Sequence, residues 1–346
     1  MRSFDPFYRI FPVGLLLVFG ITSGCIDEIS LDTSAPTPPP LSVFGSVSNG
    51  PGPHEVVLRR AAAFEQSLEG NATPITSAEV ILVEEETGTR ATMSHRGSGR
   101  YKTDEGAIIG TPGRTYHIEI ALADDKVFRS RPETMPEPVA IDSLFVTPDT
   151  TEDVAQLEVR SQFEDPEGDP GYYRWSTRAT FQAPFLPTPL NPPYYCWGDD
   201  GVGTDVAVAN DRFFDGEVRN GELVRSIPVT EKTSSAYQLD VQQRTLTEDA
   251  HQFWKLIETQ VEETGTPFSP PPSAIDGNIV NVGNPDAPAF GYFSAVGQSN
   301  ETFCLNAGNY PSVPLQSYSP LNDCGSRSAV SIERPPYWEC SPNRNP

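Results

Sequence analysis

Thr115-Tyr116-His117-Ile118-Glu119-Ile120-Ala121-Leu122 sets the fold class of this chain. Tyr116, Ile118, Ile120 and Leu122 fall at every second position, with Thr115, His117, Glu119 and Ala121 between them. A period of two puts the first set on one face of an extended strand and the second on the other, which predicts a half-buried β-strand. The neighbouring sequence reads the same way. Val43, Gly45 and Val47 alternate ahead of the turn Asn49-Gly50-Pro51-Gly52. Segments 54–60, 77–83, 89–95 and 99–103 are further short strands, and Glu84-Glu85-Glu86-Thr87-Gly88 stops the second of them. After Leu122, Asp124-Asp125 turns the chain into Val127-Phe128-Arg129-Ser130. About seven strands at roughly 8–12-residue spacing predict an immunoglobulin-like or transthyretin-like β-sandwich over residues 41–138. Such a fold hosts many unrelated functions and specifies none.

Met135-Pro136-Glu137-Pro138 marks a boundary, and a second β-rich domain is expected over residues 139–346. Ala155, Leu157, Val159, Ser161 and Phe163 alternate with polar residues, and Tyr173, Trp175 and Thr177 make the inner face of the next strand. Tyr237, Leu239 and Val241 repeat the pattern. Between them, residues 181–203 read as a long excursion rich in proline and aromatics. One amphipathic helix is expected near 246–264. Thr245 and Glu248 have capping-box spacing. Ala250, Phe253, Trp254, Ile257 and Val261 form one apolar stripe, which Gly265 stops. That stripe is expected to bury Phe253 and Trp254 against the second sheet. Phe290-Gly291-Tyr292-Phe293-Ser294-Ala295 reads as a buried strand with a close backbone approach at Gly291. The fold class is therefore mainly β: a sandwich, then a β-rich domain with one amphipathic helix.

The N-terminus carries an address. Arg2 and Arg9 precede an apolar run over residues 10–21, then Ser23, Gly24 and Cys25. The run has signal-peptide length and is short for a bilayer span. The arrangement resembles a bacterial lipobox, with residues 1–24 removed and Cys25 carrying the lipid anchor. Multiple acyl chains on one residue give stable membrane attachment. Residues 25–40 then form a tether ending in Thr33-Ser34-Ala35-Pro36-Thr37-Pro38-Pro39-Pro40, extended and semi-rigid by composition. The acidic Asp27 and Glu28 resemble a surface-export signal, so the expected location is the outer membrane, on the cell surface.

A formal charge of −23 over 346 residues repels nucleic acid and anionic lipid, and disfavours both as partners. With 35 prolines and 27 glycines the chain is turn-rich, yet 37% hydrophobic residues suffice for a core. Beyond Cys25 the cysteines are Cys196, Cys304, Cys324 and Cys340, and an even number in an exported chain suggests two disulfides with three connectivities open. No C-x-x-C occurs, and His54, His95, His117 and His251 are scattered singly, which argues against zinc.

No nucleophile elbow, phosphate loop or dinucleotide fingerprint is present, and no carboxylate pair is marked out for glycoside hydrolysis. The chain is expected to be non-catalytic and to need no cofactor. Glu164-Asp165-Pro166-Glu167-Gly168-Asp169 offers a weak Ca²⁺ site through Asp165, Glu167 and Asp169, against the plainer reading of a solvated acidic turn. The acidic run from Asp199 to Asp205 is a second such candidate. Tyr194, Tyr195 and Trp197 are candidate ligand or partner contacts, since aromatic faces suit stacking, with core packing as the alternative.

The order of motifs resembles the Bacteroidota outer-membrane lipoproteins carrying the domain of unknown function numbered 4249. The matching pieces include Leu41-Ser42-Val43-Phe44-Gly45-Ser46-Val47-Ser48-Asn49, Pro74-Ile75-Thr76-Ser77-Ala78-Glu79-Val80, Gly99-Arg100-Tyr101 and Gly110-Thr111-Pro112-Gly113-Arg114-Thr115-Tyr116. Further along come Ile141-Asp142-Ser143-Leu144, Gly171-Tyr172-Tyr173-Arg174-Trp175, Gly277-Asn278-Ile279, Gly291-Tyr292-Phe293-Ser294 and Pro335-Pro336-Tyr337-Trp338. The resemblance implies an accessory lipoprotein that partners a TonB-dependent outer-membrane receptor in nutrient capture, and it implies no catalytic residue. The alternatives are an adhesion or structural surface lipoprotein and, further off, a secreted-type hydrolase.

Overall fold

From residue 41 the chain runs through β1 (Leu41–Ser48), β2 (Glu55–Arg60), β3 (Thr73–Pro74), β4 (Ala78–Glu84), β5 (Arg90–His95), β6 (Arg100–Lys102), β7 (Thr115–Leu122), β8 (Val127–Ser130) and β9 (Glu133–Thr134). Next come β10 (Ser143–Asp149), β11 (Gln156–Glu164), β12 (Tyr172–Pro184), β13 (Tyr195–Val202), β14 (Ala207–Asn210), β15 (Val218–Pro228) and β16 (Tyr237–Thr245). The helix α1 (Glu248–Glu263), β17 (Ile279–Asn281), β18 (Ala289–Leu305) and β19 (Val330–Ser331) complete the order. The computed structural model describes residues 40–60, 73–151, 153–168, 170–184, 195–202, 206–263, 275–287, 289–310, 330–331 and 333–340. The leader, Cys25 and the tether up to residue 39 lie outside the described residues.

The chain is mostly β-strand, with one α-helix among the described residues and two sheets. The larger sheet has sixteen strands, and its main path runs β17-β8-β7-β4-β5-β6-β2-β1-β18-β16-β12-β13-β19. The smaller has the order β10-β11-β15. The alternation read from sequence places the core: Tyr116, Ile118, Ile120 and Leu122 of β7 are all buried. So are Leu157, Val159 and Phe163 of β11, Tyr173 and Trp175 of β12, and Tyr237, Leu239 and Val241 of β16. His117, expected on the open face of β7, is also buried, enclosed by Glu85, Glu119 and Arg129, with Arg129 Nη2 2.8 Å from its Nε2.

β18 is the strand that links the two regions. Its first half pairs in parallel with β1, Leu41 opposite Ala289 and Ser48 opposite Val296. Its second half pairs antiparallel with β16, from Thr245 opposite Gly297 to Tyr237 opposite Leu305. Gly291 makes the first half fit. Its φ is +94°, and a Cβ there would lie 1.9 Å from the Val43 carbonyl oxygen. Only glycine adopts that conformation at no steric cost.

Two main cores result. One lies under β1, β2, β4, β5 and β7 and also takes in Ile279, Phe293 and Ala295 from beyond residue 139. The other lies between the three-stranded sheet and β12, β16 and the end of β18. Its centre is aromatic: the Phe163 ring is 4.7 Å from Tyr173 and 5.7 Å from Trp175. Each such side chain contributes about 2–3 kcal/mol by burial. The indole Nε1 of Trp175 donates to Gln243 Oε1 at 2.9 Å, and Gln243 Nε2 donates to the Val139 carbonyl at 3.1 Å, so the polar atoms of these two buried side chains are engaged.

α1 starts two residues later than the capping-box reading. Thr245 ends β16, and its hydroxyl accepts from Val139 N. Thr247 is the residue that caps α1, accepting from Ala250 N at 3.3 Å. Ala250 and Phe253 pack with Leu246, Tyr292 and Val296, and Tyr172, Trp254 and Ile257 border this third cluster. Val261, placed on the apolar stripe, is 53% exposed and borders an open cleft with Ala207 and Val208 of β14 and Leu223 of β15.

The described residues of the expected excursion 181–203 are strand. β12 continues to Pro184 and β13 returns against it, with Ala183 opposite Cys196, while 185–194 lie outside the described residues.

Candidate functional site

The acidic residues that converge are Asp165, Asp211 and Asp215. One carboxylate oxygen from each lies within 4.8 Å of the others. Asp165 sits one residue beyond β11, Asp211 one residue beyond β14, and Asp215 in the turn before β15. The turn is pinned by Phe214, a buried ring that meets Phe163 edge-on at 6.1 Å. Backbone amides hold the carboxylates in place. Gly171 N donates to Asp211 Oδ2 at 2.6 Å, Gly168 N to Asp215 Oδ1 at 2.8 Å, and Gly216 N to Asp165 Oδ2 at 3.2 Å. The Tyr173 hydroxyl donates to Asp165 Oδ1.

Asp165 and Asp211 are buried and Asp215 is exposed, so the cluster opens to solvent on one side. Burial pushes the Asp165 carboxyl above the usual aspartate range, the charges of Asp211 and Asp215 push the same way, and the bonds from Tyr173 and Gly216 oppose them. Burial first, and then Asp165, hold the Tyr173 phenol well above its ordinary value, so it stays protonated and donates. Three carboxylates at this spacing are hard oxygen donors and could coordinate a divalent ion.

Of the expected calcium ligands, Asp165 belongs to this cluster. Glu167 is exposed and lies against Gly216, and Asp169 lies outside the described residues. Asp211 and Asp215 were not singled out from sequence. They lie more than forty positions from Asp165, and their visible signal is the pair of acids flanking Arg212-Phe213-Phe214 ahead of Gly216. The second acidic candidate is engaged in ion pairs: Asp199 with Arg178 at 2.7 Å, Asp200 with Lys232 and, at 2.8 Å, the Tyr237 hydroxyl. Residues 203–205 lie outside the described residues.

The aromatic candidates separate. Tyr195 is 41% exposed on β13, its ring 6.4 Å from that of Trp197. Trp197 packs against a small cluster of Ala236, Trp338 and Cys340. Tyr194 lies outside the described residues. Cys304 and Cys340 form a disulfide with Cα atoms 5.5 Å apart, and Cys196 is also disulfide-bonded. Cys324, like Cys25, lies outside the described residues.

Comparison with protein families gives a match over residues 26–302 to a model described as a domain of unknown function, DUF4249. No curated protein matches the chain.

Proposed function

The chain belongs to the DUF4249 family, and from that premise we propose that it is a lipid-anchored accessory protein of the bacterial outer membrane, non-catalytic, which partners a TonB-dependent receptor in nutrient capture. Family membership supports a general envelope-associated role. The observation that carries the finer reading is the place where the family match starts. It begins at Ile26, directly after Cys25, so the apolar run and its cysteine stand outside the shared domain as a leader and anchor would. Bacteroidota are the organisms in which this arrangement of surface lipoproteins is expected. In this reading residues 41–138 are an immunoglobulin-like or transthyretin-like docking module. Tyr195, at the surface of β13, then belongs to the contact face.

The test is a gentle detergent extraction of native outer membranes containing tagged protein, with Cys25→Ala as control. Co-purification of a TonB-dependent receptor in near-stoichiometric amount is expected, along with loss of membrane attachment in the variant. A wild-type protein recovered alone overturns the receptor partnership. A Cys25→Ala protein that stays membrane-bound overturns the anchor.

A further inference from the structure

Arg174 and Arg244 stand directly opposite each other on the neighbouring antiparallel strands β12 and β16. They lie on the face of the sheet away from the core that holds Tyr173, Trp175 and Gln243. Two like charges facing each other across a strand pair repel. Neither arginine has an ion pair among the described residues, although the chain carries 47 acidic side chains. Arg174 Nε and Arg244 Nε are both shut off from solvent without a hydrogen-bond partner. Arg244 Nη2 donates to Gln242 Oε1 at 2.8 Å. The Arg174 guanidinium lies over the Trp254 ring of α1, its Cζ 3.6 Å from the ring centroid. Glu258, one turn further along α1, is occupied by Lys255 and by Val208 N.

An unpaired guanidinium in a partly buried position is costly, and two together cost more. Yet the surroundings fix their orientation: Trp254 holds one plane and Gln242 the other. Burial first, and then Arg244, push Arg174 down to about 9, and burial alone lowers Arg244. Arg174 at that value is still charged at neutral pH, and a guanidinium stays protonated in proteins. Both residues are half-buried.

We propose that Arg174 and Arg244 form a binding site for a divalent oxyanion of the phosphate type, held between β12, β16 and the Trp254 edge of α1. A doubly charged anion balances two cations where a single carboxylate balances one. Each planar guanidinium is a donor set suited to bidentate contact with phosphate oxygens, and its Nε–H has no partner among the described residues. The same chemistry serves free phosphate and the terminal phosphate of an organic ester. The site is separate from the aspartate cluster and independent of any receptor partner.

The test is calorimetric titration of the full-length protein with inorganic phosphate, with glycerol 3-phosphate and with acetate. Saturable binding of phosphate or the ester at one per chain is expected, with acetate weaker by about tenfold or more. Tighter binding of the ester would identify an esterified ligand, and tighter binding of phosphate the free ion. Arg174→Gln and Arg244→Gln should each weaken binding by about tenfold. Arg174→Lys, which keeps charge and bulk but loses the bidentate edge, should weaken it less than Arg174→Gln. No saturable binding to the wild-type chain up to about 10 mM overturns the proposal whatever the variants do. Unchanged affinity in folded Arg174→Gln or Arg244→Gln overturns it as well.

Discussion

The Tyr292 hydroxyl donates to Glu133 Oε1 at 2.5 Å across 159 positions of sequence. The other oxygen of the same carboxylate accepts from Thr247 Oγ1 at 2.6 Å. One buried side chain of β9 thereby joins the first half of β18 to the capping residue of α1. This contact, with the passage of β18 between the two cores, ties the regions before and after residue 139 together.

Burial holds the Glu133 carboxyl above its ordinary value of 4.5, against the bonds from Thr247 and Tyr292. The folded state therefore keeps this proton to higher pH than the unfolded chain does. Above the ordinary glutamate value, the contribution of this group to stability falls as pH rises, until the folded-state value is passed. Glu133→Gln removes the titration and leaves an amide that Tyr292 and Thr247 can still reach. Denaturant unfolding of wild type and variant between pH 4 and 8 should show the variant gaining on the wild type as pH rises. A difference independent of pH would refute the assignment.

Gly291→Ala should break the junction of β1 and β18. The added Cβ would fall 1.9 Å from the Val43 oxygen, at a φ of +94° that alanine rarely adopts. A loss of about 3 kcal/mol is expected from strain and backbone displacement together. Urea unfolding measures it. A loss below about 1 kcal/mol would mean that the backbone there relaxes freely.

The disulfide between Cys304 and Cys340 links β18 to the C-terminal segment across 36 positions. Paired replacement by serine should cost about 2–4 kcal/mol through the freed unfolded chain. It should also loosen Trp338, which packs beside Cys340 and Trp197. Tryptophan fluorescence during unfolding reports both effects, and an unshifted emission maximum in the native variant would count against the packing claim.

Calcium provides a direct assay of the aspartate cluster. At about 100 times its dissociation constant a bound ion adds about 2.7 kcal/mol to stability. Thermal melts in calcium and in chelator should differ accordingly, with the difference lost in Asp215→Asn, the exposed member of the three. Identical melts in calcium and chelator would show that the cluster holds no calcium.

The strands were legible because each needs only local information. Alternation at Tyr116, Ile118, Ile120 and Leu122, or at Leu157, Val159 and Phe163, reports which side of a strand is apolar. The helix was legible for the same reason, from Ala250, Phe253, Trp254 and Ile257. Its cap was misplaced by two residues, since Thr245 and Thr247 differ only in which of them leaves the sheet. The acidic cluster was half legible. Asp165 stood out in a dense acidic run, whereas Asp211 and Asp215 join it through the pairing of β12 with β14, which places the turn after Asn210 beside Gly171.

By itself the sequence determined the class of structure: period-two runs bury one face of a strand. The tertiary structure decided everything that depends on pairing between distant segments. That β18 serves two sheet regions, that Glu133 meets Tyr292, and that Arg174 faces Arg244 are consequences of register. Register is a relation between strands and is written in neither strand alone, because alternation fixes a strand's inward face and not the residue that will stand opposite.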